Sequence, residues 1–419
     1  MPKFQTPKGM SDILPEDWFY FQKILEKVQE IVSYYGFERI ETPILEETEL
    51  FNRGVGLATD IVQKEMFSFR TKGKDHLSLR PEGTAPIVRA YFQHGFGTKI
   101  QPVKLWYFGP FFRYEKPQAG RKRQFWQVGI EILGEGNPIL DVQTIFIFWN
   151  ILKELKIENL VLDINSLGDN FCRPYYKKAL SSYFKAKIAG LCPFCKIRLK
   201  QNPLRILDCK DERCRQIISS APQILDYLCD NCKNHFKKVL EYLESLQIPF
   251  NLNPYLVRGL DYYTKTVFEI KTTEKEIGAL VGGGRYDLLG KMIGGKELPG
   301  VGGAAGIERI VEVLKEKKKI LPKQRECKFF FAQIGELAKR EALKIIEELR
   351  KNKIEVAEAL GKDSLKAQMR TAEKCKAKYV LILGQKEAML KEIIIKDMVS
   401  GKQKVVKLKK LVRELKNLS

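Results

Sequence analysis

An α+β protein is predicted: an antiparallel sheet, interrupted by a mainly helical insertion and followed by a separate α/β domain. Three features of the 419-residue chain point to it. Short aromatic and β-branched runs with turn signals between them fill the first third. Six cysteines crowd into residues 192–232, a helical stretch between two sheet-like regions. From residue 328 onward, strand-like and helix-like segments alternate.

Taken in order, residues 17–35 alternate apolar and polar positions at helical spacing, and Gly36 ends the helix in the manner of a C-cap. The runs 37–40, 66–69, 103–114 and 125–133 read as strands, and 139–155 as a helix. Residues 166–246 are cysteine-rich and helical in pattern, an inserted domain. Residues 257–319 return to strands, glycine loops and a final helix, and 315–322 read as a linker. In the last segment 329–334 and 379–383 read as strands and 339–352 and 365–376 as helices, the pattern of a small domain with a largely parallel sheet. The expected division is therefore 1–165 and 247–322 for one interrupted domain, 166–246 for the insertion and 323–419 for the last domain.

Apolar residues make up 44% and charged residues 30% of the chain, ordinary values for a soluble globular protein. No apolar run approaches the length of a bilayer span, and residues 1–12 are polar without a signal-peptide core, so no membrane and a cytoplasmic location are expected. The net charge of +22 is unusual. Basic chains of this size often meet polyanions, because phosphate contacts gain from counterion release. A lysine-rich solvated surface gives the same total. The distribution favours the first reading: residues 325–419 hold 24 Lys and Arg against 13 Asp and Glu, half of the net charge in under a quarter of the chain.

Strand parity locates a ligand surface. In residues 125–133 the even positions Trp126, Val128, Ile130 and Ile132 are apolar, whereas Gln127, Gly129 and Glu131 share the other face, two polar groups with a side-chain-free gap between them. A solvent-facing strand gives the same pattern. The preceding strand adds Arg113 and Glu115 on one face, joined by a basic hairpin loop, residues 116–122, that holds Arg121. If the two strands pair, Arg113 shares a sheet with Gln127 and Glu131. An arginine fork suits phosphate, and a carboxylate suits a cationic or hydrogen-bond-donating group.

Three further stretches fit such a site. Arg80-Pro81-Glu82-Gly83-Thr84 puts a carboxylate and a hydroxyl in a tight turn. Arg258-Gly259-Leu260-Asp261-Tyr262-Tyr263 joins an arginine to two phenols. Residues 300–306 are glycine-rich and lead into a helix with Arg309 in its first turn, where a helix N-terminus favours phosphate. Gly282-Gly283-Gly284 alone reads equally as a plain tight turn.

These stretches resemble the histidyl-tRNA synthetase family, over nearly the whole chain. Tyr35-Gly36-Phe37 through Glu41-Thr42-Pro43 looks like the first class II motif, a dimer-interface element. Phe112-Arg113-Tyr114-Glu115 through Glu131 resembles the second, and residues 302–309 the third. The stretch Leu256-Val257-Arg258-Gly259-Leu260-Asp261-Tyr262-Tyr263 and the stretch Gly282-Gly283-Gly284-Arg285-Tyr286-Asp287 are similar to elements specific to the histidine enzyme.

The resemblance implies a class II catalytic domain, an anticodon-binding C-terminal domain, a homodimer, and ligation of L-histidine to tRNA(His) with ATP and Mg2+. It also implies roles. Glu82, Gly83, Thr84 and Gln127 would hold the substrate's amino group. Glu131 and Tyr263 would bracket the imidazole, with Tyr262 and Tyr286 nearby. Arg113 and Arg258 would be catalytic, gripping the α-phosphate between histidine and ATP. Glu115, Arg121 and Arg309 would complete the ATP site, with Phe125 stacking on adenine. Gly303 departs from the bulky apolar residue usual in the family, and Trp126 from a frequent histidine. The same resemblance leaves an alternative: a non-catalytic regulatory subunit of ATP phosphoribosyltransferase in histidine biosynthesis, which keeps the fold but lacks the C-terminal domain and part of the arginine set.

Cys192-Pro193-Phe194-Cys195 and Cys229-Asp230-Asn231-Cys232 form a pair of CxxC pairs, with Cys209 and Cys214 between them. Four thiolates at Cys192, Cys195, Cys229 and Cys232 suit a structural zinc, although 33 intervening residues exceed the usual finger loop. Free thiols in a small helical domain are the other reading.

Overall fold

The computed structural model describes residues 4–57, 59–118, 120–317 and 327–418. The chain divides into two compact units, Met1–Leu321 and Pro322–Ser419. The expected linker and the boundary after residue 322 lie mostly outside the described residues.

The first unit opens with α1 (Pro15–Tyr34), entered through Pro15 in its first turn and closed at Gly36, whose φ of +75° suits glycine. Then come β1 (Glu38–Arg39), β2 (Leu45–Glu47), α2 (Thr48–Val55), β3 (Ser68–Arg70), β4 (His76–Leu79) and α3 (Thr84–Gln93). Two long strands follow, β5 (Val103–Phe112) and β6 (Gln124–Leu133), and then α4 (Ile139–Glu154) and β7 (Leu160–Ser166). The insertion supplies α5 (Cys172–Ala186), α6 (Pro193–Gln201), α7 (Glu212–Ile218) and α8 (Asp230–Ser245). The chain returns through β8 (Phe250–Leu252), β9 (Thr264–Thr272), β10 (Val281–Arg285), α9 (Leu289–Met292), β11 (Gly300–Gly306) and α10 (Ile307–Lys317).

Eight strands form one sheet in the order β1-β5-β6-β11-β10-β9-β7-β8. Its interior pairs are antiparallel; only the edge pairs β1–β5 and β7–β8 are parallel. One face packs on α1, α4, α8 and α10, where Ile24, Val28, Ile130, Ile132, Ile145 and Leu314 are fully buried. The pairing of β5 with β6 sets Tyr107 opposite Gly129 and Leu105 opposite Glu131. Both glycine-rich stretches differ from expectation. Residues 282–284 and 300–306 are not turns or loops but adjacent strands, with Gly283 opposite Gly303 and Gly284 opposite Gly302. At Gly282, Gly283, Gly284, Gly302 and Gly303 there is no side chain to fill the space beside the strand, so neighbours do.

A buried ion network ties this sheet to the helices. Arg285, at the end of β10, and Asp141, in the first turn of α4, are both fully buried and paired through two guanidinium nitrogens. Arg285 also donates to Asp287 Oδ1 at 3.1 Å and to the Asn137 carbonyl at 3.2 Å. His235 Nε2, on α8, lies 3.3 Å from Asp141 Oδ1. Burial raises the Asp141 pKa, but the Arg285 charge and the His235 and Arg285 hydrogen bonds outweigh it and bring it to about 2.

The second unit contains β12 (Phe329–Gln333), α11 (Glu336–Lys351), β13 (Val356–Glu358), α12 (Leu365–Lys374), β14 (Tyr379–Leu383), α13 (Gln385–Leu390), β15 (Glu392–Asp397), β16 (Gln403–Lys407) and α14 (Leu408–Leu418). Its sheet runs β13-β12-β14-β15-β16. Only β13, β12 and β14 are parallel; β15 and β16 turn antiparallel because a short helix and then a tight turn, not a long crossover, connect them. The largely parallel sheet expected from sequence is therefore parallel in only half of its pairs.

Asp141→Ala removes the fully buried partner of Arg285, leaves only Asp287 at Nη1 as its counterion, and should destabilise the first unit by up to roughly 3–5 kcal/mol. Because the folded-state pKa is depressed, the contribution of Asp141 is present above the unfolded value near 4 and fades as pH falls towards about 2. Denaturant unfolding of both proteins between pH 2 and pH 7 measures it; a variant of equal stability at neutral pH would remove the pair from the scaffold.

Candidate active site

A cleft of about 850 Å³ opens beside the sheet, with the first turn of α10 on its border. The sequence-predicted residues Glu82, Gly83, Thr84, Arg113, Glu115, Arg121, Phe125, Gln127, Arg258, Tyr262, Tyr263 and Arg309 all line it. Glu131 and Tyr286 do not: they are buried behind the wall, with 0% and 1% exposure.

One end of the cleft is acidic and phenolic. Glu82 accepts the backbone N–H groups of Thr84 at 2.7 Å and Ala85 at 2.9 Å, which fixes its carboxylate at the start of α3. The Tyr262 hydroxyl donates to the same carboxylate at 3.2 Å. Thr84 Oγ1 donates to Glu131 Oε1 at 2.8 Å, and the Tyr286 hydroxyl donates to Oε2 at 2.5 Å. Burial pushes the Glu131 carboxyl up to about 8 against these two donors, with the Glu82 charge adding to the rise. This end therefore holds a proton near neutral pH that it can share with an incoming base.

The other end is cationic. Arg113 is aimed by a hydrogen bond from Nε to the Pro81 carbonyl, 2.9 Å, and its guanidinium lies over the Phe125 ring, 5.3 Å from the centroid. Arg121 donates to Glu115 at 3.1 Å. Arg309 donates to the Gly120 carbonyl at 3.1 Å and to the Ala279 carbonyl at 2.5 Å. Burial, and then the charges of Arg121, Arg258 and Arg113 against that of Glu115, lower the Arg309 pKa. Arg258 pairs with Glu269, and its Nε is buried without a hydrogen-bond partner. Four arginines around a cleft, one with an unsatisfied donor, suit a polyphosphate.

Glycines make the floor. A Cβ on Gly129 would stand 2.1 Å from Tyr107 Cζ, because that ring lies across the gap between Gln127 and Glu131. A Cβ on Gly302 would meet Glu131 Oε2 at 1.8 Å, and one on Gly282 would meet Arg258 Nη2 at 2.2 Å. The space beside Gly303 is taken by Phe148 and Phe268, 3.0 and 3.2 Å from where its Cβ would be, so packing under the third motif is complete without a bulky residue there. Trp126 packs among Trp18, Phe21 and Phe108 on the core side.

Sequence reasoning missed Tyr107, Glu269 and Arg205. Tyr107 was legible: it shares strand parity with Arg113 and faces Gly129 across the pair. Glu269 alternates with buried residues on β9 and gave no signal. Arg205 belongs to the insertion, yet donates to the carbonyls of Arg258 at 3.0 Å and Gly259 at 2.7 Å and pairs with Asp261 at 3.1 Å. Only the folded chain brings it there.

The cysteine prediction needs correction. Cys192, Cys195, Cys229 and Cys232 do not form one group. Cys192 and Cys195 gather with Cys209 and Cys214, whereas Cys229 and Cys232 gather with Cys172 and Asp169. Each CxxC sits at the start of a different helix, α6 or α8, and finds its partners on the segments packed against that helix end.

Two family descriptions match the chain: "Histidyl-tRNA synthetase" over residues 9–168 and 210–310, and "Anticodon binding domain" over residues 320–418. A protein of Halothermothrix orenii named histidine--tRNA ligase is 45% identical over 99% of this chain and 99% of its own length. One of Clostridium novyi with the same name is 43% identical over 97% of each. Among solved structures, that of apo S. aureus histidyl-tRNA synthetase matches with a TM-score of 0.79 and 35% identity, covering 99% of this chain and 100% of that one.

Gly129→Ala forces the Tyr107 ring off the floor and should cost about 1–3 kcal/mol, the range for overpacking a filled site. Denaturant midpoints and near-ultraviolet circular dichroism of both proteins read the change; an unaltered spectrum and midpoint would mean that the ring is not held there.

Proposed function

We infer the reaction of this chain from the family to which it belongs, the histidyl-tRNA synthetases: it activates L-histidine with ATP to histidyl-adenylate and transfers the histidyl group to tRNA(His). The observation that carries this reading is the two-ended cleft, with Glu82, Tyr107, Tyr262 and Tyr263 lining one end, Glu131 buried behind it, and Arg113, Arg121, Arg258 and Arg309 at the other. The regulatory-subunit alternative is disfavoured, since this chain keeps the full arginine set and matches the anticodon-binding description at its C-terminus.

Histidine enters the acidic end. Its ammonium group is placed between Glu82, Thr84 and Gln127, beside Gly83. Its imidazole approaches Tyr263 and competes with Thr84 Oγ1 for Glu131, while Tyr262 and Tyr286 hold the two carboxylates in place. The histidine carboxylate oxygen then attacks the α-phosphorus of ATP, and the bond to the bridging oxygen of pyrophosphate breaks. Arg113 and Arg258 face the α-phosphate from two sides and stabilise the charge that grows on its oxygens without reorganising. Arg121 and Arg309 meet the outer phosphates, and Phe125 is the aromatic surface for adenine. Magnesium would neutralise the triphosphate; Glu115 and Glu269, the carboxylates beside the arginines, are the hard oxygen donors there. In the second step the terminal ribose hydroxyl of tRNA attacks the adenylate carbonyl and AMP leaves.

The basic C-terminal unit is assigned to the anticodon region. Just before β16, on it and at the start of α14, Lys402, Lys404, Lys407, Lys409 and Lys410 are all exposed, a surface suited to phosphates. A homodimer belongs to the same reading, supported by Tyr34, Ile44 and Leu45, apolar and exposed around the first-motif segment. Among the described residues no helix is long and apolar enough to cross a membrane. The free cysteines suit a reducing compartment, which supports a cytoplasmic location.

Histidine-dependent exchange of pyrophosphate into ATP tests the activity, and Arg258→Ala should lower it by at least ~10²-fold, the scale for one lost transition-state donor. Exchange without histidine dependence would refute the reading, and near-normal exchange in the variant would remove Arg258 from the chemistry. The second test concerns protons. Free Glu131 holds a proton below about 8, and an imidazole sharing that proton causes little net uptake near pH 7. Above that pH the free carboxylate has lost it, so binding must take one up. Calorimetry in buffers of different ionisation heat should show uptake growing by up to about one proton between pH 7 and pH 9, and a smaller growth in Glu131→Gln. Identical profiles in both proteins would place the imidazole elsewhere.

A further inference from the structure

Two groups of metal-type ligands lie in the insertion and take no part in the chemistry above. The Sγ atoms of Cys192, Cys195, Cys209 and Cys214 lie within 4.8 Å of one another. An Asp169 oxygen and the Sγ atoms of Cys172, Cys229 and Cys232 do the same. We propose that the insertion binds two zinc ions, one in a four-cysteine site within it and one at its neck, in a site of three cysteines and an aspartate. This stands apart from the ligase reading and needs no catalytic residue.

The distances fit. Tetrahedral zinc with bonds of about 2.3 Å to sulfur sets its thiolates about 3.8 Å apart. Cys192 and Cys209 are 3.9 Å apart, sulfur to sulfur, well beyond a disulfide bond of about 2.05 Å. The backbone around both groups repeats one design. Cys192 precedes α6 and Cys195 sits in its first turn; Cys229 precedes α8 and Cys232 sits in its first turn. Asp169 and Cys172 stand at the same three-residue spacing at the start of α5, and Cys214 is in the first turn of α7. The N-termini of α5, α6 and α8 thus stand at the ligands, which favours thiolates.

Backbone N–H groups also point at the sulfurs. Cys195 N donates to Cys192 Sγ at 3.4 Å, Cys192 N to Cys214 Sγ at 3.2 Å, and Cys229 N to Cys172 Sγ at 3.0 Å. Such donors form the outer shell of metal-bound thiolates. Free cysteine is often buried as a small hydrophobe, which accounts for burial but not for the convergence of the four sulfurs of Cys192, Cys195, Cys209 and Cys214. Nor does it account for the carboxylate. Asp169 Oδ1 accepts the N–H of Phe171 at 2.9 Å, which leaves Oδ2 facing Cys229 Sγ at 4.0 Å. Thiolate-rich tetrahedral sets select zinc over magnesium or calcium.

Each ion would have its own mechanical task. The neck site joins the segment leaving β7 to the start of α8, closing the insertion where it departs and returns. The four-cysteine site closes the loop between Cys195 and Cys209, which carries Arg205 and so the hold on the Arg258 and Gly259 carbonyls.

The test is the metal content of the untagged full-length protein, by plasma mass spectrometry after gel filtration in chelator-free buffer. About two zinc ions per chain are expected, and Cys195→Ser and Cys232→Ser should each lose about one and keep the other. Should either variant fail to fold, cobalt(II) titration of the metal-stripped wild-type protein serves instead, with sulfur-to-cobalt charge-transfer bands saturating near two equivalents. Three results would overturn the proposal: no metal taken up from zinc or cobalt, with the thiols titrating freely; disulfides within either group by mass; or a single ion lost from both variants alike.

Discussion

The site exists because glycine faces a long polar side chain at each place where one must lie flat on the sheet. Tyr107 crosses Gly129, Glu131 crosses Gly302 and Arg258 crosses Gly282. Each is a contact between neighbouring strands or between a strand and the segment lying on it, and a single β-carbon at any of these positions would lift the functional group off the floor. Pressed against backbone, these groups cannot reorganise freely. That is the condition under which fixed charges stabilise a changing one.

A floor with so few side chains has little packing of its own, and the sheet is held from behind. The fully buried Arg285 anchors the end of the glycine strand β10 to Asp141 on α4, with His235 on α8 as a third partner. A buried pair of this kind adds little net stability over an apolar equivalent, but it is made in the register that β10 holds against α4. Since β10 carries the glycines under Arg258, register in the scaffold becomes position in the cleft.

Strand parity made much of this readable. The alternation in β6 separated Val128, Ile130 and Ile132 from Gln127 and Glu131, and the structure places the first set in the core. The same parity applied to β5 would have found Tyr107. Glycine misled in the other direction: alone in sequence, Gly282-Gly283-Gly284 is a turn signal, and only its pairing with residues 302–304 makes it a strand. The buried position of Glu131 was also hidden, since a polar face reads as solvent-facing until a hydroxyl from another segment covers it. The cysteines sort by which helix ends meet, not by distance along the chain, so the two CxxC pairs fell into one imagined group.

The insertion leaves the sheet from β7 and rejoins it at β8, which pair side by side. About eighty residues thus begin and end at one edge of the sheet, and loop-closure cost grows only slowly with their number. Such a segment is free to lengthen, shorten or change character without altering the register of the strands beside it, and the family description passes over residues 169–209. Arg205 limits that freedom. Through one side chain gripping the backbone at Arg258 and Gly259, the insertion keeps a say in the geometry of the cleft. Divergence in the insertion is therefore a route by which evolution can tune the reaction while every residue of the floor stays the same.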